Sequence, residues 1–557
     1  MMVHVKSKLA RFHVGQLAVL LSMLAVFVVI MVLPLFALFT RAFQNNAGDF
    51  IGFDNYLAYF DNPSLLGALW NTINVSLSTT MISVTLGFLF AYGVTRTNMR
   101  FKRFFRYMVL IPIFIPTIAH AVGLISLFGR QGIITAMGFE IPLFGQLGII
   151  LSHIIYTLPQ AFLMFYITLE YADGRLYEAA ESMGVKPIPQ LINITLPEVK
   201  YTFINAMFVC FTLAFTDFGA PVVIGGGYNV LATDLFVQIT GLFNFNMGAV
   251  VGTLLLVPAV FAFVINRITN NANMGAVSAK STKLVIKKNA VRDMGFFAFC
   301  SLVILGFVAL IGGLAVRAFT AFFPFDTSLT LANFQFNTTT GGIGSFFNSI
   351  QMSLLTAIIG TAFVFVYSYM AEKIEAFGFL RKIAKLFSMI PMALPGMVIG
   401  VGYILFFNNP NNPFHFAFGT IGILVVANIL SFFSVPFLTA TGALKKLDKE
   451  FESVSDSMSV PRWKLFVRVT VPLSFPAMLE TFMYYFVSSM VTISALVFLY
   501  TPQFRVASIA ISHMHAEGVF AQAAAMSLLI LFINVLVRLM YELANIFHRQ
   551  REKRRQI

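Results

Sequence analysis

Charge is what this chain has least of. Only 11% of its 557 residues are charged, while 58% are apolar. A soluble protein of this length must cover its core with a charged surface, and there are too few charges here to do so. Cysteine is nearly absent. Cys210 and Cys300 both lie inside apolar runs, which leaves no disulfide framework and no metal-ligand spacing; both read as structural. No G-x-x-x-x-G-K-S/T loop occurs, so the chain lacks the phosphate cradle that nucleotide hydrolysis needs. Ile224-Gly225-Gly226-Gly227-Tyr228 follows an apolar run and reads as a turn, not as a nucleotide loop. The eight histidines show no ligand spacing, and His513 and His515 fall in a stretch expected to be a solvated outer loop. No metal site is expected. Paired acid and base groups that would mark an enzyme are missing too.

What the chain has is apolar length. Runs of more than twenty residues read as membrane-spanning helices. They do not alternate with period two, which excludes a barrel. The expected fold class is therefore all-α and integral to a membrane. Twelve spans are expected: near 16–40, 70–94, 105–128, 146–168, 201–225 and 246–267, then near 295–317, 347–371, 385–407, 418–440, 476–500 and 519–541. A net charge of +14 could suggest nucleic acid, but 33 of the 37 Lys and Arg residues lie in the termini and alternate loops, with Arg41, Arg130, Arg317 and Arg505 as the exceptions. That asymmetry is the positive-inside pattern, so both termini are expected in the cytoplasm and no nucleic-acid partner is expected. The first apolar run follows a basic stretch but is too long for a secretory signal and shows no clear cleavage site.

The chain also repeats itself. Trp70-Asn71-Thr72-Ile73-Asn74 matches Phe347-Asn348-Ser349-Ile350-Gln351 at an offset of 277, Pro112 and Pro116 match Pro391 and Pro395 at 279, and Ser182-Met183 matches Ser457-Met458 at 275. Two homologous six-helix halves in one orientation follow, residues 1–268 and 294–557, joined by a small, polar and basic cytoplasmic linker at 269–293. Parallel repeats of this kind commonly place the solute path between them.

The loop between the fourth and fifth spans reads Glu178-Ala179-Ala180-Glu181-Ser182-Met183-Gly184, then nine residues, then Ile194-Thr195-Leu196-Pro197. Leu176 to Met183 are good helix formers, Gly184 can end a helix, and Pro187 and Pro189 prevent its continuation. This loop, 178–197, resembles position for position the EAA loop of the membrane permeases of binding-protein-dependent ABC importers. The resemblance implies a short cytoplasmic helix that docks on an ATP-binding subunit. It also implies two such subunits, a periplasmic or lipoprotein solute-binding protein, a multi-pass location in the bacterial inner membrane among lipid, and no cofactor bound by this chain, ATP being hydrolysed by the partner. The implied docking residues are Glu178, Ala179, Ala180, Gly184, Leu196 and Pro197. The second copy, 453–472, is degenerate: Ser453-Val454-Ser455 stands opposite the EAA, Asp456 opposite Glu181, Ser459 opposite Gly184, and Pro472 is kept. Both loops are expected to dock, with unequal contacts.

Ionisable groups inside spans are functional candidates. Asp217 is the clearest, with Thr212 and Thr216 before it and Thr492 opposite it in the repeat. Asp217 reads equally as a contact on the solute path or as an interhelical hydrogen bond. His120 is a weaker path candidate. Asn71, Asn74 and Asn348 read as helix-packing residues, and Thr233 and Asp234 as facing the binding protein or the pore mouth. The stretch Thr216-Asp217-Phe218-Gly219-Ala220-Pro221 with Gly225 to Asp234 is similar to fused permeases for 2-aminoethylphosphonate uptake and to their relatives for ferric iron. The resemblance implies a small anion such as 2-aminoethylphosphonate as solute, with ferric iron as the alternative. From another class, an ion-coupled secondary transporter stays open.

Overall fold

The computed structural model describes residues 2–273, 284, 286–373, 377–448, 450–458 and 460–555. Much of the expected linker, with Lys280 and Lys283, lies outside the described residues. Helix dominates the described residues. A short antiparallel pair, Thr320–Phe322 with Asp326–Leu329, is the exception.

Among the described residues, eight helices are long and apolar enough to cross a membrane, and four bent pairs raise the number to twelve if each pair is one span. This bears out an all-α membrane protein of about twelve spans. The bends were not expected. The third span, placed at 105–128, is broken into Lys102–Met108, Ile111–Phe114 and Thr117–Phe128. The ninth, placed at 385–407, turns by 109° between Gly378–Ala393 and Gly396–Phe407. Both breaks hold the repeated prolines. Pro112 and Pro391 lack an N–H to donate, and Pro116 and Pro395 hold Ile115 and Leu394 in extended backbone. The fifth and eleventh spans also end early, at Thr216 and Val491. There Asp217 and Thr492 take up extended backbone at the same repeat position.

The repeat is reproduced element by element. Pro187–Gln190, Leu191–Thr195, Leu196–Glu198 and Lys200–Thr216 correspond to Arg462–Leu465, Phe466–Thr470, Val471–Leu473 and Phe475–Val491, every boundary shifted by 275 residues. Each copy holds one widened π-helical turn just before its conserved proline, Pro197 or Pro472.

The chain forms two compact units, and their boundaries do not follow the linker. One unit comprises residues 1–41, 344–507 and 530–557; the other comprises 42–343 and 508–529. The first long helix of each sequence half thus joins the unit built mainly from the other half. Side-chain fit explains both placements. Phe27 is fully buried and packs against Phe363, Tyr367, Phe387 and Phe433, the last edge-on at 4.8 Å between ring centroids. In the other unit, helix Ala290–Phe319 lies so close to its neighbours that a Cβ on Gly93 would meet Phe296 at 2.9 Å and one on Gly123 would meet Leu310 at 2.8 Å. Small residues permit such close approach in lipid, where packing rather than water exclusion drives helix association. Cys300 is buried in this contact, and Cys210 is buried near the Thr157 carbonyl.

Conserved clamps hold the loops that follow the broken spans. The Asn71 amide donates to the Asn229 carbonyl at 2.9 Å, and the Leu231 N–H donates to the Thr72 hydroxyl at 2.8 Å. In the other unit the Asn348 amide donates to the Gln503 and Arg505 carbonyls, and the Ala507 N–H donates to Ser349 at 2.7 Å. Asn71 and Asn348 therefore fix loop backbone rather than helix packing. Asn74 does join two helices, accepting from Gln146 at 3.0 Å.

Candidate functional site

The loop at 173–199 begins with Asp173, whose carboxylate accepts the Arg175 N–H and caps helix Gly174–Ser182. The helix is amphipathic in a simple way. Tyr177 and Ala180 are buried, while Glu178 and Ala179 face out. Its end is a Schellman cap: the Gly184 N–H donates to the Glu181 carbonyl and the Val185 N–H to the Ala180 carbonyl, both at 2.9 Å. Gly184 supplies the positive φ, +72°, that this cap needs, and a Cβ there would meet nothing within 4 Å. The tyrosine ties the helix down, its hydroxyl sharing a hydrogen bond with Thr195 at 2.9 Å and reaching Glu198 at 3.3 Å. Leu196 and Pro197 lie exposed at the start of the turn that returns the chain to the membrane.

A surface of large apolar side chains surrounds this cap. Leu176 is 56% exposed, Met183 75%, Ile188 70% and Ile192 54%. Large apolar side chains left this exposed form the kind of surface that protein or membrane contacts use. The second loop carries the same patch at an offset of 275: Phe451, Met458, Trp463 and Val467 are all exposed. Its helix Glu450–Ser457 closes with the equivalent bond, the Val460 N–H to the Ser455 carbonyl at 2.9 Å. Ser459 lies outside the described residues, and of Asp456 only the backbone is described. Pro472 is exposed, like Pro197. So the second loop has lost the EAA letters while keeping the closing bond and an exposed apolar face.

Deeper in the same unit, Asp217 is 8% exposed at the break after helix Lys200–Thr216. Its carboxylate accepts from the Thr117 hydroxyl at 2.8 Å, from His153 Nε2 at 3.2 Å and from the Ala220 N–H at 3.0 Å. One side chain thus joins three separate segments. The other candidates on the path do not converge on it. Thr212 and Thr216 donate to the carbonyls of Phe208 and Thr212 in their own helix. His120 is buried and shares a hydrogen bond with the Pro112 carbonyl at 3.1 Å. The Thr492 N–H donates to the Ser488 carbonyl. Thr233 caps the short helix Leu231–Phe236, sharing hydrogen bonds with the Val230 N–H and carbonyl. Asp234 follows it, and burial pushes its carboxyl up to about 6. His513 and His515 lie on helix Ala507–Ala516, not in a loop, and His515 packs on Phe520.

Residues 83–273 and 368–545 both match the family described as the binding-protein-dependent transport system inner membrane component. The chain belongs to this family. It is an ABC importer permease with two permease domains in one chain, and the alternative of an ion-coupled secondary transporter falls away. The chain is similar to the ferric transport system permease protein FbpB of Actinobacillus pleuropneumoniae, 25% identical over 551 residues covering 96% of this chain and 78% of that protein. A spermidine/putrescine transport system permease protein PotC homolog of Mycoplasma genitalium is 27% identical over 168 residues, 30% of this chain and 57% of that one. A crystal structure of a bacterial ABC transporter involved in the import of the acidic polysaccharide alginate aligns at 18% identity with a TM-score of 0.39, over 47% of this chain and 95% of that chain.

Two features of the permease escaped the sequence reading. His153 holds the Asp217 carboxylate, although it is an ionisable residue in an apolar run and met the criterion that singled out Asp217 and His120. The exposed apolar face beside the cap was also missed, because exposure cannot be read where every neighbouring segment is apolar too.

Proposed function

We propose that this permease imports ferric iron presented by an extracytoplasmic binding protein, driven by two ATP-binding subunits that dock on the loops around Gly184 and Pro472. The twin exposed apolar faces carry the docking part of the reading. Leu176, Met183, Ile188 and Ile192 recur as Phe451, Met458, Trp463 and Val467, and each set is spread over a short helix, its C-terminal end and the turns that follow. A rigid helix ahead of a span can pass a partner's displacement into the membrane. Glu178, Ala179 and Ala180 belong to the first helix, whose outward side offers Glu178 and Ala179. The positive-inside pattern puts both loops and both termini on the cytoplasmic side, where the ATP-binding subunits stand. Iron is favoured over the anion expected first, because the relative aligned along nearly the whole chain is a ferric permease. 2-Aminoethylphosphonate stays as a second reading on the stretch from Thr216 to Asp234.

Proteoliposomes holding the permease, its ATP-binding subunits and its binding protein test both parts. ATP-dependent accumulation of radioactive ferric iron is expected. Accumulation of labelled 2-aminoethylphosphonate without iron would assign the second reading, and transport without any ATP-binding subunit would overturn the docking account.

A further inference from the structure

Beneath the first docking helix lies a cavity of about 350 Å³. Its walls are the end of helix Pro63–Arg96, the docking loop, Leu284, and the chain at 286–292 that leads into helix Ala290–Phe319. Four cations line it, Arg96, Lys287, Lys288 and Arg292, against one carboxylate, Glu181. Two of the four are engaged by carboxylates. Lys287 bridges to Glu181 at 2.7 Å, and Arg292 to Asp293 at 2.9 Å. Arg96 is different. It is 7% exposed, it lies 5.0 Å over the Tyr177 ring, and its Nε and Nη2 have no hydrogen-bond partner among the described residues. The Tyr177 ring and the charge of Glu198, which the Tyr177 hydroxyl contacts, compensate it in part. A buried guanidinium with idle donors remains costly until an anion meets them. The cavity wall is also fixed in place: the Asn98 amide donates to the Ile286 carbonyl at 2.7 Å and its N–H to Asp293 at 3.1 Å.

We propose that this cavity binds a phosphate-bearing anion, held by Arg96 with Lys288 and by the outer cations Lys287 and Arg292. A planar guanidinium with several donors beside flexible ammonium groups suits tetrahedral oxyanions. The anion has two possible sources: the headgroup of an acidic phospholipid or a soluble phosphate compound. Glu181 and Gly184 line the same cavity, so an occupant would tie the chain at 286–292 to the docking helix. That consequence rests on the docking reading; the binding itself does not.

The test uses the full-length permease in nanodiscs of neutral lipid, with and without its ATP-binding subunits. Pyrophosphate is titrated by calorimetry, and dioctanoyl-phosphatidylglycerol is compared with dioctanoyl-phosphatidylcholine by native mass spectrometry. Binding of pyrophosphate or of the acidic lipid is expected, and whichever binds identifies the source. Arg96→Gln and Lys288→Glu should each weaken it by about tenfold or more, as for loss of a charge-assisted hydrogen bond. Lys288 is exposed, so its variant decides the matter if Arg96→Gln fails to fold. The proposal is overturned if pyrophosphate does not bind and the acidic lipid binds no better than the neutral one, or if the folded variants bind like wild type. Uptake by a variant that no longer binds the probe leaves the docking account standing, so the two readings fail separately.

Discussion

Replacing Gly184 separates folding from docking, because the two costs at this position differ in size. Gly184 sits at φ +72° with open space where a Cβ would stand. Gly184→Ala therefore meets no clash, and its folding cost is the left-handed backbone alone, about 1 kcal/mol. Asn and Asp tolerate this region better than Ala, so Gly184→Asn and Gly184→Asp should cost the fold still less. All three permeases are expected in the membrane at wild-type abundance. The docking cost runs the other way. Met183 and Ile188 flank the glycine and are 75% and 70% exposed, so a partner seated there would cover position 184. A carboxylate covered without a counter-charge costs at least about 3 kcal/mol, or roughly 100-fold in affinity. The expected order of retained ATP-binding subunit is wild type, then alanine, then asparagine, then aspartate, read by co-purification at graded salt and by ATP-driven uptake. Wild-type association and uptake by Gly184→Asp would refute the placement of this cap under a partner. Loss of the aspartate protein from the membrane would refute the folding estimate instead.

Three further outcomes are expected. Trp463→Asp in the second loop should weaken ATP-binding-subunit association about as much as Ile188→Asp in the first, each by about 30-fold as for a central interface residue, and an unchanged complex with Trp463→Asp would show that only the first loop docks. Asp217→Ala strands the donors on Thr117, His153 and the Ala220 backbone, at about 1–3 kcal/mol for each group left unsatisfied, so the melting temperature should fall sharply; Asp217→Asn, which keeps an acceptor oxygen, should recover much of it, and equal melting of all three proteins would remove the bracing role. The carboxyl of Asp234 is raised to about 6 by burial, so the fold holds a proton that the unfolded chain has lost between the ordinary carboxylate range and pH 6; stability should fall as pH rises through that window, and Asp234→Asn should flatten the dependence in melts from pH 4.5 to 7.5.

The parts of this fold that were legible in the sequence are those set by fixed spacing and by length. The EAA spacing located helix Gly174–Ser182 and the glycine that ends it, because a helix of known rise with a positive-φ stop leaves little freedom. The offset of 275 residues carried the same geometry onto Glu450–Ser457 without any EAA letters. Hydropathy windows found where chain is buried in lipid, but they carry no direction. Hence hydropathy alone reads the 109° turn at Pro395 as continuous span, even with Pro391 and Pro395 in repeat register with Pro112 and Pro116. Windows also carry no neighbours. Which unit the helices Gly15–Ala42 and Ala290–Phe319 join depends on Phe27 finding four aromatic rings, and on Gly93 and Gly123 leaving room for Phe296 and Leu310. Complementarity of that kind belongs to pairs of faces, and a single sequence shows each face alone. The second loop makes the same point from the other side. Its lost letters, Ser453-Val454-Ser455, point to contacts unequal to those of the first loop, yet Phe451 and Trp463 are exposed at the repeat positions of Leu176 and Ile188. What the two copies share is the closing bond, a short helix and an exposed apolar face. The proposed docking of the degenerate copy rests on those shared features and not on the EAA letters, and the Trp463 variant tests it most directly.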